Sequence, residues 1–316
     1  MLSPGRGMRR AAAAEMMRRP DAIGWKVSGD VDGHHLETSF ENNGSRQVRV
    51  DGKSTNQSGL SRHLSIVWLT PNMDRLWTEG ADGRRRFLDR IALSFHTGHG
   101  EATLSYEKAM RERNRLLKDQ VRDAHWYAAL EAQMAATGAL IETARDDAVK
   151  RLVAAQEHAQ SSFPKATLEL VGPEGQPRLK EVETLADAFA ASRPADLHAG
   201  RTLVGPHRAD MVATYADKAV EAKNASTGEQ KALLISLVLA NARSLQSQNR
   251  APVVLLDEVA AHLDTARRAA LFDEISTLGI QAWMTGTGPE LFEDVAQETM
   301  KVSVHDDGTG SEVTPI

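Results

Sequence analysis

The chain has 316 residues, of which 41% are apolar and 26% charged; this balance excludes a disordered or low-complexity polymer and suffices for about two packed domains. It holds no cysteine, which excludes a disulfide scaffold, thiolate metal sites and a cysteine nucleophile. The formal net charge of −5 gives no general attraction to nucleic acid, although residues 1–120 carry 20 basic against 15 acidic residues and the remainder 18 against 28.

No run approaches the roughly 18 apolar residues of a membrane span. The N-terminal stretch MLSPGRGMRRAAAAEMMRRP is basic but lacks the apolar core of a secretory signal. The expected compartment is the cytoplasm, with no membrane partner.

In chain order, an alanine-rich helical start is expected to close at Pro20. Residues 22–50 read as short strands: apolar and polar residues alternate in Val48-Arg49-Val50, and Asp51-Gly52 is a hairpin signal. Leu64–Leu69 reads as a mostly buried strand that Pro71 ends. Residues 84–97 predict an amphipathic helix. Between Glu101 and Phe163 there is no proline, and Trp126, Leu130, Met134, Ile141 and Leu152 recur near helical spacing. One or two long helices follow, with that stripe as their seam. Pro164, Gly172, Pro173 and Pro177 return the chain to loops and short strands, and Leu203-Val204 reads as a short strand.

Lys231–Leu245 is apolar nearly all round, which predicts a buried helix. Pro252–Leu256 predicts a buried strand, Asp264–Leu278 an amphipathic helix with Gly279 just past its end, and Ile280–Met284 another strand. Strand, helix, strand in this order implies a parallel crossover. The last dozen residues are polar and are expected to fray.

Two motifs carry chemistry. In Val253-Val254-Leu255-Leu256-Asp257-Glu258 an apolar run ends in two acids. Ligands of open parallel sheets bind beyond the carboxyl ends of strands. There Asp257 suits a magnesium ion held against phosphates, and Glu258 suits a base that activates water. The bland alternative is a core strand running out into solvent. The second motif, Ser226-Thr227-Gly228-Glu229-Gln230, opens the buried helix. A serine and free N–H groups at a helix start can hold an anion, and Gly228 lets the backbone approach a phosphate. Ser226 and Glu229 equally fit a capping box. Asp264, six residues beyond Glu258, is either the cap of the next helix or a loop contact with a partner subunit, and the two are compatible.

Histidines raise a metal question. His34 and His35 are adjacent, so on a strand they point to opposite faces. His96 and His99 have helical spacing, but the glycines around them argue for a loop. Neither pair favours a shared zinc ion.

The order Ser-Thr-Gly-Glu-Gln, buried helix, Leu-Leu-Asp-Glu, His-Leu-Asp resembles the signature, Walker B and D-loop of ABC-type ATPases. Further segments resemble the bacterial RecF family. Gly205-Pro206-His207-Arg208-Ala209-Asp210 is similar to its GPHRDD element. Pro71 followed by Arg84-Arg85-Arg86-Phe87-Leu88-Asp89, Arg113-Asn114-Arg115-Leu116-Leu117-Lys118, and Leu2-Ser3-Pro4-Gly5-Arg6-Gly7 match other segments of the family in order. After the last strand, Met284-Thr285-Gly286-Thr287 stands where ABC transporters carry a histidine.

The resemblance implies an α/β fold: an ABC-type ATPase head (a mixed sheet with flanking helices) with an inserted, mainly helical lobe. The expected division is 1–75 and 196–316 for the head and 76–195 for the lobe. It implies ATP and Mg2+ as cofactors, with Asp257 on the metal, Glu258 as catalytic base, Ser226 and Gly228 contacting nucleotide in trans, and Asp264 at the contact of an ATP-dependent homodimer. It also implies DNA repair, recombination and replication within the SOS response: binding of single-stranded or gapped DNA, and RecA loading with RecO and RecR as partners. The DNA-contacting residues stay open; Arg6, Arg9, Arg10 and Arg84-Arg85-Arg86 are candidates, and the alternative is that each is a helix-surface arginine in a local ion pair. His207 and Arg208 would touch nucleotide or brace the sheet.

One departure is clear. A phosphate loop requires GxxxxGK followed by Ser or Thr, and none occurs. Gly52-Lys53-Ser54 does not qualify, because position 47 is Gln47. The expectation is a RecF-like chain that begins after its Walker A. The alternatives are a non-catalytic remnant serving as an interaction module, or another SMC-like ATPase head.

Overall fold

The computed structural model describes every residue except 4–6, 10, 19–21, 42–43, 160, 174–175, 251, 296–298, 307 and 309. The alanine-rich start forms a single 3-10 turn, Ala13–Met16, and not a longer helix; Pro20 lies outside the described residues. Strands β1 (Gly24–Val31), β2 (His34–Glu41), β3 (Gln47–Val50) and β4 (Lys53–Thr55) form an antiparallel sheet in that order. Val31 pairs with His34 and Val50 with Lys53, so Asp32-Gly33 and Asp51-Gly52 are two-residue turns with positive φ at both positions. Such turns match the right-handed twist of the flanking strands. Gly52 and Lys53 are thus spent on a hairpin. Leu36 and Val48 pack from this sheet onto Leu60 and Leu64.

Strand β5 (Ile66–Leu69) leads to helices α1 (Ala81–Phe95), α2 (His99–Lys118) and α3 (Ala124–Glu157). The proline-free stretch is therefore two helices, broken where Gln120 takes a left-handed φ of 54°. The expected seam holds at Met134, Ile141 and Leu152, which are buried, but not at Trp126, which is 64% exposed. Tyr127 is the buried residue of that turn: the stripe starts one position later than the spacing suggests. With 34 residues α3 runs about 50 Å. Its Met134, Ala135 and Ile141 pack in a lobe cluster with Tyr106, Leu185 and Phe189. Its Ala144, Ala148 and Leu152 pack in the main core.

The chain continues through β6 (Ala166–Val171), α4 (Val182–Ala199), β7 (Asp210–Tyr215) and β8 (Val220–Glu221); β6, β7 and β8 form a second antiparallel sheet. Leu203-Val204 is not a strand. Its neighbourhood bonds to side chains instead of a ladder: Leu203 N–H donates to Asp196 and Thr202 N–H to Asn114. Helix α5 (Thr227–Gln246) buries fifteen residues on all sides. Strand β9 (Val253–Leu256), helix α6 (Thr265–Leu278) and strand β10 (Ala282–Met284) follow. Gly279 ends α6 at a φ of 60°. The central sheet is parallel, in the order β10-β9-β5. Its middle strand β9 buries Val254 and Leu256 against α5 and α6. The C-terminus does not fray: β11 (Val302–Asp306) and β12 (Ser311–Pro315) pair as a hairpin. None of the described helices is long and apolar enough to cross a membrane.

A polar network ties α1, α2 and α3 to α4 and to the segment before β7. Arg84 forms a two-pronged ion pair with Asp210 (2.7 and 2.9 Å). Arg145 grips Asp89 in the same way (2.7 and 2.9 Å) and donates to Pro206 O (2.8 Å). Arg113, fully buried, contacts Glu131, Asp196 and Thr202. His207 donates from Nε2 to Thr202 O (3.1 Å), which leaves Nδ1 to accept the Tyr106 hydroxyl (2.8 Å). Burial pushes His207 down to about 4, so it braces the junction as a neutral ring. Gly205, at a φ of 123°, leaves the space for Tyr106: a Cβ there would lie 2.5 Å from the Tyr106 oxygen.

Candidate nucleotide site

Asp257 and Glu258 stand at the carboxyl end of β9, flanked by both neighbouring strands. Asp257 N–H donates to Leu69 O of β5 (2.9 Å), and Thr285 N–H donates to Leu256 O (3.0 Å). The ladder therefore holds one residue past the strand on each side. Thr285 Oγ1 donates to Asp257 Oδ1 (2.8 Å) and accepts the Glu258 N–H (3.0 Å). One hydroxyl thus orients the carboxylate and fixes the backbone that follows. Glu258 has a φ of 54°, a left-handed conformation costly for a residue with a Cβ, and its side chain is exposed. Such strain persists where surroundings over-determine it, as at functional sites. Arg9 Nη2 lies 3.4 Å from Asp257 Oδ2.

Ser226 caps α5. The Glu229 carboxylate accepts its N–H (2.8 Å) and hydroxyl (2.7 Å), so the capping box is formed. Lys218 reaches the other Glu229 oxygen. The hydrogen bond from Lys218 first, then those from Ser226, lowers the Glu229 carboxyl to about 2. Ser226 and Thr227 are exposed, so the turn that starts the most buried helix of the chain faces solvent. Gly228 lies in the helix, and a Cβ there would meet Arg267 Nη1 at 3.5 Å. The Gln230 side chain points inward: it donates to Ala222 O (2.8 Å), while the Gln230 backbone carbonyl accepts the Trp77 indole N–H (3.0 Å).

Asp264 is the N-cap of α6, accepting Arg267 N–H at 2.8 Å, with Arg267 Nη1 3.7 Å from its other oxygen. It remains exposed. Arg267 therefore stands between Gly228 and Asp264 and links the two turns. Sequence reasoning missed Arg267 and the role of Thr285. The spacing of Arg267 from Asp264 is an ordinary helix-cap pattern, and Thr285 acquires meaning only when β10 is placed beside β9.

The other candidates separate. Arg84 is committed to Asp210, Arg85 donates to Ala209 O (2.8 Å), and Arg86 pairs with Asp82. Arg6 and Arg10 lie outside the described residues. His34, His35, His96 and His99 each face a different carboxylate: Asp51, Asp30, Asp147 and Asp89.

The model of the RecF/RecN/SMC N-terminal domain matches residues 8–311. The DNA replication and repair protein RecF of Allorhizobium ampelinum is 42% identical over 320 residues, covering 96% of this chain and 86% of that protein. The RecF of Rhizobium johnstonii is 44% identical over 322 residues, covering 97% and 86%. The solved structure of the recombination mediator RecF with ATP, from the RecFOR pathway, superposes with a TM-score of 0.79 at 22% identity, covering 100% of this chain and 86% of that one. The fold is that of an ABC-type ATPase head with an inserted helical lobe. The chain belongs to the RecF family.

Proposed function

We propose that this chain is a DNA repair and recombination ATPase subunit whose two acids at β9 and exposed turn at Ser226 serve opposite halves of a shared ATP site. The observation that carries this reading is the clamp of Thr285 on both Asp257 and Glu258. It leaves a carboxylate held at a parallel strand end, where ligands of such sheets bind. The donor set, a carboxylate backed by hydroxyl and backbone groups, fits magnesium. Mg-ATP would supply the transferable phosphoryl group. Asp257 would hold the metal side, and Glu258 would orient water and take its proton. Ser226 and Gly228 of one protomer would face the nucleotide of the other, with Asp264 at the contact. On this reading residues 1–75 and 196–316 build the head and residues 76–195 the lobe. The names of the relatives support a role in DNA repair; the family resemblance extends it to single-stranded or gapped DNA, with RecR, RecO and RecA as partners.

A second reading rests on the absence of GxxxxGK with Ser or Thr from these 316 residues: a non-catalytic module that contributes only the signature face and the lobe. Equilibrium dialysis with labelled ATP and magnesium separates the two. Retention of nucleotide supports the first reading, and none supports the second. Where nucleotide is retained, Ser226→Arg should abolish ATP-dependent dimers in sedimentation while single-subunit binding stays within about twofold, because the added bulk lies on the exposed turn. Dimers formed by that variant as readily as by the parent would refute the contact in trans.

A further inference from the structure

Arg267 keeps its donors where other arginines of the chain spend theirs. Arg84 and Arg145 hold carboxylates in two-pronged pairs, and Arg250 donates to the backbone carbonyls of Ser94 and Ser61. The Arg267 guanidinium makes no hydrogen bond to any described residue. Its ion pair with Asp264 is long, 3.7 Å from Nη1 to the carboxylate, and 39% of the arginine side chain is exposed. The other Asp264 oxygen is taken by the Arg267 backbone N–H (2.8 Å). A planar fork of five N–H donors is thus open to solvent.

The fork lies against the first turn of α5, because a Cβ on Gly228 would stand 3.5 Å from Arg267 Nη1. The exposed Ser226 and Thr227 begin that same turn. Formal charge around it is balanced, Lys218 and Arg267 against Glu229 and Asp264, but only one of the two pairs is closed. Lys218 holds one Glu229 oxygen, and Ser226 donates to the other. The Glu229 hydrogen bond raises the Lys218 ammonium, and the Arg267 charge opposes that rise, so the two cations repel. Arg267 is also the third residue of α6. A helix start carries partial positive charge, which disfavours a cation there. Within one protomer this arginine is therefore poorly placed and poorly partnered, and an acceptor-only group arriving from outside would correct both.

We infer that Arg267 donates to the phosphates of the ATP held by the other protomer's acids, alongside Ser226 and Gly228. The inference rests on the shared site proposed above and adds to it a charged contact in trans. Phosphate oxygens accept such a fork two bonds at a time. It is tested by sedimentation velocity of the full chain with Mg-ATP, beside equilibrium dialysis and thermal melts. Arg267→Ala should weaken ATP-dependent dimers at least about tenfold. Nucleotide binding by single subunits should stay within about twofold, and the melt should not move. Arg267→Lys keeps the charge and should recover part of the dimer; Arg267→Gln keeps a polar end without the charge and should recover none. Arg111→Ala, on α2, should dimerise as the parent does. Recovery by glutamine and not by lysine would make Arg267 a strut between the two turns. Loss of single-subunit binding in Arg267→Ala would assign it to its own protomer's nucleotide. Either result overturns the inference, as does an Arg267→Ala variant that dimerises like the parent. In those cases the shared site still stands where Ser226→Arg blocks the dimer. If the parent forms no dimer with Mg-ATP, the shared site falls and this inference with it.

Discussion

Thr285 and Asp257, 28 positions apart in the chain, share a 2.8 Å hydrogen bond in which the hydroxyl donates to the carboxylate. The same oxygen accepts the Glu258 N–H. The end of one strand therefore sets the geometry of the two acids that end its neighbour. Thr285→Val keeps the shape and removes both bonds. It should cost about 1 kcal/mol in urea denaturation and lower the affinity for Mg-ATP, measured by calorimetry, without altering the fold. Unchanged nucleotide affinity would remove Thr285 from the site.

Glu258 separates strain from chemistry. Its left-handed backbone costs roughly 1 kcal/mol, so Glu258→Gly should raise the unfolding free energy or leave it level, despite the entropy cost of glycine. Glu258→Gln keeps the strain and removes the carboxylate that the proposed function assigns as base. It should lower ATP turnover by at least about a hundredfold and lengthen the life of the ATP-bound dimer. Turnover equal to the parent's in either variant excludes the base role.

Arg113 predicts a different failure. Its guanidinium is inaccessible and meets Glu131 and Asp196, which are also buried. Arg113→Ala leaves buried Asp196 without its cation and Glu131 with Arg193 alone, and should cost about 3–5 kcal/mol. Arg113→Lys should recover only part of this, because an ammonium cannot span both acids as a planar fork does. Thermal melts of the two variants give the ranking.

The head–lobe junction sets a pH dependence with two stages. His207 is held down to about 4 by burial, so the unfolded chain takes up its proton first. Stability present above pH 6.5 is lost as pH falls from there toward 4. Burial acts to raise the Asp89 carboxyl, but the Arg145 charge and the His99 and Arg145 hydrogen bonds outweigh it and hold the group at about 2. Its contribution is present above the unfolded value of about 3.9 and is lost as pH falls toward 2. Denaturation midpoints should decline over both windows. The lower decline should shrink in Asp89→Asn, and an unchanged acid limb in that variant would assign it elsewhere.

Much of the site was legible from local pattern. A run of apolar residues ending in Asp257-Glu258 reads as a buried strand reaching solvent, because parallel strands are covered on both faces. Ser226 with Glu229, and Asp264 before an amphipathic run, read as helix starts because free N–H groups need nearby acceptors. Trp126 misled, since a periodicity fixes a helix but leaves its rotation loose by a residue. The C-terminal hairpin was hidden because cross-strand bonding does not require an apolar sequence.

By itself the sequence determined the elements and their chemistry: the all-round apolar α5, the acids after β9, the caps, and the two-residue turn at Asp51-Gly52. These follow from interactions within a few residues. Only the tertiary structure decided which partners they meet. Thr285 reaches Asp257, Arg267 stands between Gly228 and Asp264, and Arg84 and Arg145 are drawn inward to Asp210 and Asp89 and away from solvent. Those contacts join residues far apart in the chain, and a side chain's partner across such a distance is set by how strands register and helices pack, which no local pattern encodes.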